Sequence, residues 1–401
     1  MAYYFIFPQK DTTLYSHPDR SEMNAGQDEI LELVKEIGSS DSYHHPSRIL
    51  IQFKNEEIKE AHDLIGSELF NSTTATVTSS VSLQLTVADT KNLVSTHIIG
   101  AYAVEKSWTE GTGKYLNLPT SSNGVSWKYR DNSATATLWP SASFTAGTTG
   151  SITASGFTVD SDGDISSNYI LETGGGTWYT GSDFYATQQF LEGESLDTDL
   201  EVKNIIQKHS ASIYGSETFP DGVYNYGFIL KTLDTVEGNA SSSFGEIQYF
   251  SSNTHTIYPP KLVFKWDDSS YVLGEGGIAR SGSLSISLYN NQREYNQNDI
   301  AIFRINVREK YPERTFSTTS NYLNIGYLTT TSYFSLRDAH SEREIIPFDE
   351  YTKLSADING MYFKLYMKGL QPERYYRLLF KHVHNDGTTI YDNDYYFKVV
   401  R

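Results

Sequence analysis

The chain contains no cysteine in its 401 residues. That excludes disulfides, thiolate metal centres and a cysteine nucleophile, so stability has to come from burial and from neighbouring subunits. Long apolar runs are missing as well, and no stretch approaches the roughly 20 residues that a bilayer-spanning helix needs. The opening, Met1 to Pro8, has neither the basic start nor the apolar core of a secretory signal. The expectation is a protein made in a cytoplasm without export, and the Asn-X-Ser/Thr sites at Asn71 and Asn239 are then chance. Basic charge is scarce: 32 Lys and Arg stand against 49 Asp and Glu, a net charge of −17. Phosphate backbones are repelled on average by such a chain, and no Lys/Arg run makes a local exception, which argues against nucleic acid as a partner. Methionine occurs only 4 times, and long Ala/Leu/Glu/Lys helical stretches are nearly absent.

What is present suits sheets. The chain has 30 Tyr and 20 Phe, residue types that favour half-buried pleated surfaces, together with Thr and Val. Hydrophobic residues make up 38%, enough for packed cores. The expected class is all-β, with a length that suggests two or three domains. Residues 48–53 form a compact apolar strand, and Val81, Leu83, Leu85 and Val87 alternate as on a strand with one buried side. Residues 56–64 have helical spacing for one or two turns, and residues 196–208 read as a strand running into a short helix. Three strands, at 226–231, 246–251 and 261–266, close a first domain spanning 1–266. Within it, residues 107–185 read as a loop-rich insertion anchored by Trp108, Trp127, Trp139 and Trp178. A Gly, Ser and Asp-rich linker follows at 267–282. Strands recur through a C-terminal domain at 283–401, where Leu370-x-Pro372 followed by Tyr375 and Tyr376 has the form of a tyrosine corner in Ig-like and fibronectin-like sandwiches. Either tyrosine can supply the hydroxyl. Asn385-Asp386-Gly387 marks a tight hairpin.

Motifs of chemistry are few. No spacing singles out two carboxylates as a hydrolytic pair, and no Gly-x-Ser-x-Gly elbow occurs. Glu110 to Lys114 fails as a phosphate loop because Tyr115 stands where Ser or Thr is needed. His44-His45 sits in a loop, and His382-x-His384 puts two imidazoles on one face of a strand without a third ligand nearby; surface residues on an edge strand account for that pair more simply. Asp160, Asp162 and Asp164 space hard oxygen ligands as a calcium loop does, but Gly163 comes early and Leu171 replaces the closing Glu, which favours a plain acidic turn. Trp108, Trp127, Trp178 and Tyr179 are candidates for a flat aromatic platform for sugar rings. The competing reading makes them packing anchors of a Gly-rich region.

Four landmarks carry a resemblance over residues 1–266. They are Pro8 to Tyr15 with Asn24-Ala25-Gly26 and Ser47 to Phe53; Ser107 to Gly113 with Gly124 to Trp127; Leu200 to Ile206; and Gly227 to Lys231 with Tyr249 to Ser252 and Pro260 to Phe264. In order and spacing they resemble the DNRLRE-type β-sandwich, a jelly-roll domain related to carbohydrate-binding modules. The sequence departs from that pattern after Ser252, where Asn253-Thr254-His255 replaces the usual Arg-Glu. The resemblance places Trp108 and Trp127 in the structural motif of the family, which strengthens the anchor reading. Met1 to Pro8, Leu118 to Gly124, Gly174 to Gly181 and Thr254 to Lys261 are also similar to virion structural proteins of marine T-even-like myophages, particularly those infecting cyanobacteria. That similarity implies a particle component without choosing head, neck, tail or baseplate.

The expectation is therefore a large jelly-roll-like β-sandwich followed by a smaller Ig/fibronectin-like β-domain, in a non-enzymatic virion subunit. Its partners would be other virion proteins and copies of itself, with no cofactor required, and no nucleic acid or membrane. The alternative is a carbohydrate-binding receptor or decoration module on the particle exterior, with a host-surface glycan as ligand. A polysaccharide-degrading tail enzyme is a third and weaker reading.

Overall fold

The computed structural model describes residues 2–37, 44–66, 78–114, 123–140, 174–214, 222–237, 244–274, 276–279, 283–311, 316 and 326–401. The protein is all-β. The chain opens with β1 (Ala2–Ile6), β2 (Lys10–Tyr15), β3 (Ile30–Ile37) and β4 (His44–Gln52), then α1 (Asn55–Ile65). Next come β5 (Ser79–Leu85), β6 (Val87–Lys91), β7 (His97–Ala103), and the short β8 (Tyr129–Asp131) and β9 (Thr137–Leu138). After β10 (Tyr185–Phe190) and β11 (Thr198–Glu201), helices α2 (Lys203–Lys208) and α3 (Ser210–Tyr214) lead to β12 (Phe228–Thr232). The run ends with α4 (Asp234–Glu237), β13 (Gly245–Phe250) and β14 (Lys261–Trp266).

Two bodies divide the chain. The larger takes residues 6–72 and 81–263; the smaller takes 1–5, 73–80 and 264–401. In the larger body the main sheet runs β10-β7-β12-β4-β3-β13-β6, with β2 also paired to β4. A separate sheet has the order β1-β14-β5-β11, its strands divided between the two sets of residues. Ile49, Leu50 and Ile51 of β4 are all fully buried although they point alternately to opposite faces. A strand covered on both faces reads as an unbroken apolar run, which is why residues 48–53 lack alternation. Val81, Leu83 and Leu85 of β5 are buried as their spacing implies. The helix at 56–64 is longer than expected, 11 residues, because Ile58, Ala61, His62 and Ile65 share one buried face.

The smaller body adds β15 (Leu284–Leu288), β16 (Glu294–Asn296), β17 (Ile300–Glu309), β18 (Ser332–Asp338) and β19 (Glu344–Ile346). It is completed by β20 (Ser355–Asp357), β21 (Gly360–Tyr366), β22 (Arg374–His384) and β23 (Gly387–Val400). One sheet is β15-β17-β21-β20 and the other β16-β23-β22-β18-β19, with β16 parallel to β23. These are the A-B-E-D and A′-G-F-C-C′ sheets of an Ig-type sandwich. Without cysteine, aromatic rings bridge the two sheets. Phe363 stacks on Phe303 at 5.0 Å and on Phe334 at 4.3 Å, and Phe380 meets it edge-on. The tyrosine corner belongs to Tyr376, which is buried and donates its hydroxyl to the Gln371 carbonyl at 3.0 Å, while Tyr375 is exposed. β22 and β23 meet through the expected tight hairpin, with His384 paired to Gly387.

The boundaries differ from the expected ones in two respects. The break falls at 263/264, and residues 1–5 and 73–80 count with the C-terminal body. Tyr4 shows why, packing edge-on against Tyr366. The segment 267–282 is no free linker: Tyr271 bridges to Ala356, Val272 N–H donates to Ala356 O, and Ile278 bridges to Tyr327. Gly and Ser gave a linker-like composition to a segment that extends a sheet edge.

Candidate functional site

The structure brings Trp108, Trp127, Trp139 and Trp178 together in one apolar cluster with Leu14, Leu50, Val104, Val125 and Ile229. None of the four is more than 5% exposed. The rings of Trp108 and Trp139 donate their indole N–H groups to the Tyr226 and Ser126 carbonyls, at 2.9 and 3.0 Å. Tyr179 is half-buried against Phe184, and burial pushes its hydroxyl up to about 12. The expected sugar platform is corrected accordingly: it needs faces open to water, and these tryptophans spend theirs on the core.

Beneath the rings lies a feature that spacing did not reveal. Arg48 of β4 sits with its guanidinium 4.5 Å from the Trp127 ring and 4.8 Å from the Trp178 ring. Its Nη2 is 2.8 Å from Glu237 Oε2, its Nε also donates to Glu237, and its Nη1 donates to Gly175 O. Lys231 of β12 reaches the same Glu237 at 3.2 Å and also contacts Asp234. The Arg48, Lys231 and Glu237 side chains are fully buried. Lys35 of β3 donates to Val236 O, and burial pushes its ammonium down to about 8 against the opposing pull of Glu237. Strands β3, β4 and β12 thus present cations to the short α4, which supplies the buried acid. A charge on a fully buried strand is tolerable only with such a partner. The one local signal was a Lys within the apolar Phe228–Thr232 run and an Arg opening 48–53.

The Asn24 side chain explains the most distinctive landmark of the sequence. Its amide donates to Glu110 O and Val125 O at 2.6 and 2.7 Å, and its oxygen accepts from Gly26 and Gly113 N–H. Three separated segments, at residues 24–26, 110–113 and 125, are tied by one buried side chain. Gly26 and Gly113 are required because a Cβ on either would strike the Glu110 or Asn24 backbone. The Glu110 to Gly113 turn is a packing knot with no phosphate-loop geometry.

Beside the knot, Asp11 is buried and accepts from Ser252 N and Oγ at 2.7 and 3.0 Å. Burial raises its carboxyl to about 7. Ser252 therefore meets the acid at the point where the sequence departs from the landmark pattern. Lys10 lies 4.0 Å over the Trp108 ring, donates to Trp108 O, and is lowered by burial to about 8. Glu110 accepts from Asp11 N–H, and burial raises its carboxyl too.

Asp160, Asp162 and Asp164 lie outside the described residues. Among the described residues no group of three or more His, Asp or Glu side chains is placed to hold a metal ion. His382 and His384 do come together, their rings 5.3 Å apart, but His382 is buried inside its sandwich rather than displayed on an edge. The difference follows from β22 being an interior strand, flanked by β18 and β23.

The outer surfaces separate sharply by body. Residues 264–401 carry 17 Lys and Arg and 17 Asp and Glu, while 1–5 and 73–80 carry none, so the whole net charge of −17 belongs to the larger body. Of the seventeen exposed large hydrophobics among the described residues, twelve are on the smaller body, which is the shorter stretch of chain. Ile300 and Ile302 project from the outer face of β17, beside Arg304, and Tyr289 follows β15 at the level of Arg304. Arg304 lies over the Tyr362 ring and pairs with Asp357 at 2.8 Å. Tyr, Arg and Ile projecting from a regular sheet without net charge have the composition of a protein contact surface. Comparison of the chain with protein-family models and with curated proteins gives no match.

Proposed function

We propose that the protein is a non-enzymatic structural subunit of a tailed-phage particle, working through protein–protein contacts. The observation that carries the docking part of this reading is the separation of charge from exposed apolar surface. The larger body holds the excess acid, stays hydrated and repels other acidic surfaces. The Ig-type body is electrically balanced and presents Tyr289, Ile300, Ile302 and Tyr375 outward. Surfaces of that kind dock. The particle itself enters through the resemblance of the sequence to virion structural proteins, and the two-sandwich architecture agrees with it. The partners would be neighbouring virion proteins and further copies of the chain.

Mass spectrometry of purified particles tests the assignment, and the chain should be present in a fixed ratio to the other structural proteins. A map of the particle should bury at least ~1,000 Å² of this protein against its neighbours. Absence of the chain from particles would overturn the reading. The alternative of a glycan-binding module loses its nominated platform to the core, and a glycan array with the intact protein is its direct test.

A further inference from the structure

Among the described residues, each body seals one histidine away from water without a hydrogen-bond partner. His209, at the end of α2 in the larger body, is fully buried, and neither ring nitrogen is paired. Phe228 of β12 faces it at 5.8 Å between ring centroids. Lys208, the adjacent cation, is turned to Asp183 at 3.2 Å, and among the described residues no charged side chain contributes to the electrostatics of His209. His382, on β22 of the smaller body, is likewise fully buried with both nitrogens unpaired. Its cross-strand neighbours are Ser332 on β18 and Thr389 on β23. The one ionisable group acting on it is His384 on its own strand, and that ring is engaged with Thr389 at 3.0 Å.

A buried imidazole with two unpaired nitrogens forfeits the hydrogen bonds that water would give it, and an apolar side chain would avoid that cost. Protonation is worse, because an imidazolium needs two acceptors and solvent, and neither site offers them. We propose that His209 and His382 are acid-release latches, one in each body, so that proton uptake at each ring opens the body that holds it.

Burial pushes His209 down to about 3 and His382 to about 4, with repulsion from His384 the second cause for His382. Both lie below the ordinary histidine value of 6.5. Between those values the opened chain binds protons that the closed chain refuses. The stability of each body is therefore complete above the ordinary value and falls as pH drops toward the folded one. His62 and His97, also buried and lowered in the larger body, act in the same sense.

The test is an acid titration of the full chain with histidine ring resonances followed by NMR, alongside His209→Leu, His209→Gln, His382→Leu and His382→Gln. In the wild type the two rings should stay neutral down to the pH at which their own body opens. Each substitution should lower the opening pH of its body by at least about half a unit and remove one proton from its uptake. Two results would overturn the proposal: titration of either ring near 6.5 in the folded protein, or folded variants that open at the wild-type pH. The wild-type resonances decide the matter even if a variant does not fold.

Discussion

Glu237 is one acid serving two fully buried cations, Arg48 and Lys231, so its removal costs more than any surface pair would. Glu237→Ala should lose about 3–5 kcal/mol in urea unfolding followed by tryptophan fluorescence, because it leaves two charges unpaired in the core. Replacing Arg48 and Glu237 together with apolar residues of similar size should cost less than either change alone, and a cost equal to the sum of the two single changes would show that the pair is not coupled. Asp11 behaves oppositely to an ordinary ion-paired acid. Its folded carboxyl, near 7, lies above the ordinary 3.8, so between these values the folded chain keeps a proton that the unfolded chain has released. The resulting stabilisation is complete below the ordinary value and is lost as pH rises through about 7. Asp11→Asn should therefore gain on the wild type between pH 4 and pH 8, read from urea midpoints across that range. A constant difference would mean that Asp11 ionises normally in the fold.

At the scale of elements, the F strand of the Ig-type body is fixed at its start by one hydroxyl. Tyr376→Phe should lose about 1 kcal/mol, while Tyr375→Phe, altering an exposed ring, should stay within about 0.5 kcal/mol of the wild type by thermal denaturation. The knot at Asn24 ties elements that are far apart in sequence, and its glycines cannot accept a side chain. Gly26→Ala should destabilise the larger body by more than about 1 kcal/mol, because the added carbon meets backbone that cannot move aside. The sequence pointed to the corner and the hairpin because each rests on local chemistry. It missed β16, β19 and β20, which are 3-residue strands too short to carry a period of two.

For the whole molecule, the separation of charge has a consequence for association. If the balanced body docks, Ile300→Asp with Ile302→Asp should abolish incorporation into particles or binding to neighbours while leaving thermal stability within about 0.5 kcal/mol, since both side chains already face water. Charge reversals scattered over the acidic body should change solubility and salt dependence far more than docking. A double Ile variant that still assembles would move the contact elsewhere.

The sequence by itself determined the all-β class, most of the longer strands, the tyrosine corner and the charge imbalance. All of these follow from composition, a period of two or short-range turn chemistry, and each survives in any register of strands. Only the tertiary structure decided that Trp127 and Trp178 enclose Arg48 instead of displaying a platform, that Glu237 answers cations from three strands, and that His382 lies inside its sandwich. Those are contacts such as that of Arg48 with Glu237, 189 positions apart in the chain, or questions of which face a strand buries. Such facts depend on sheet order, and sheet order is set by the summed burial of the whole core rather than by any local run of residues.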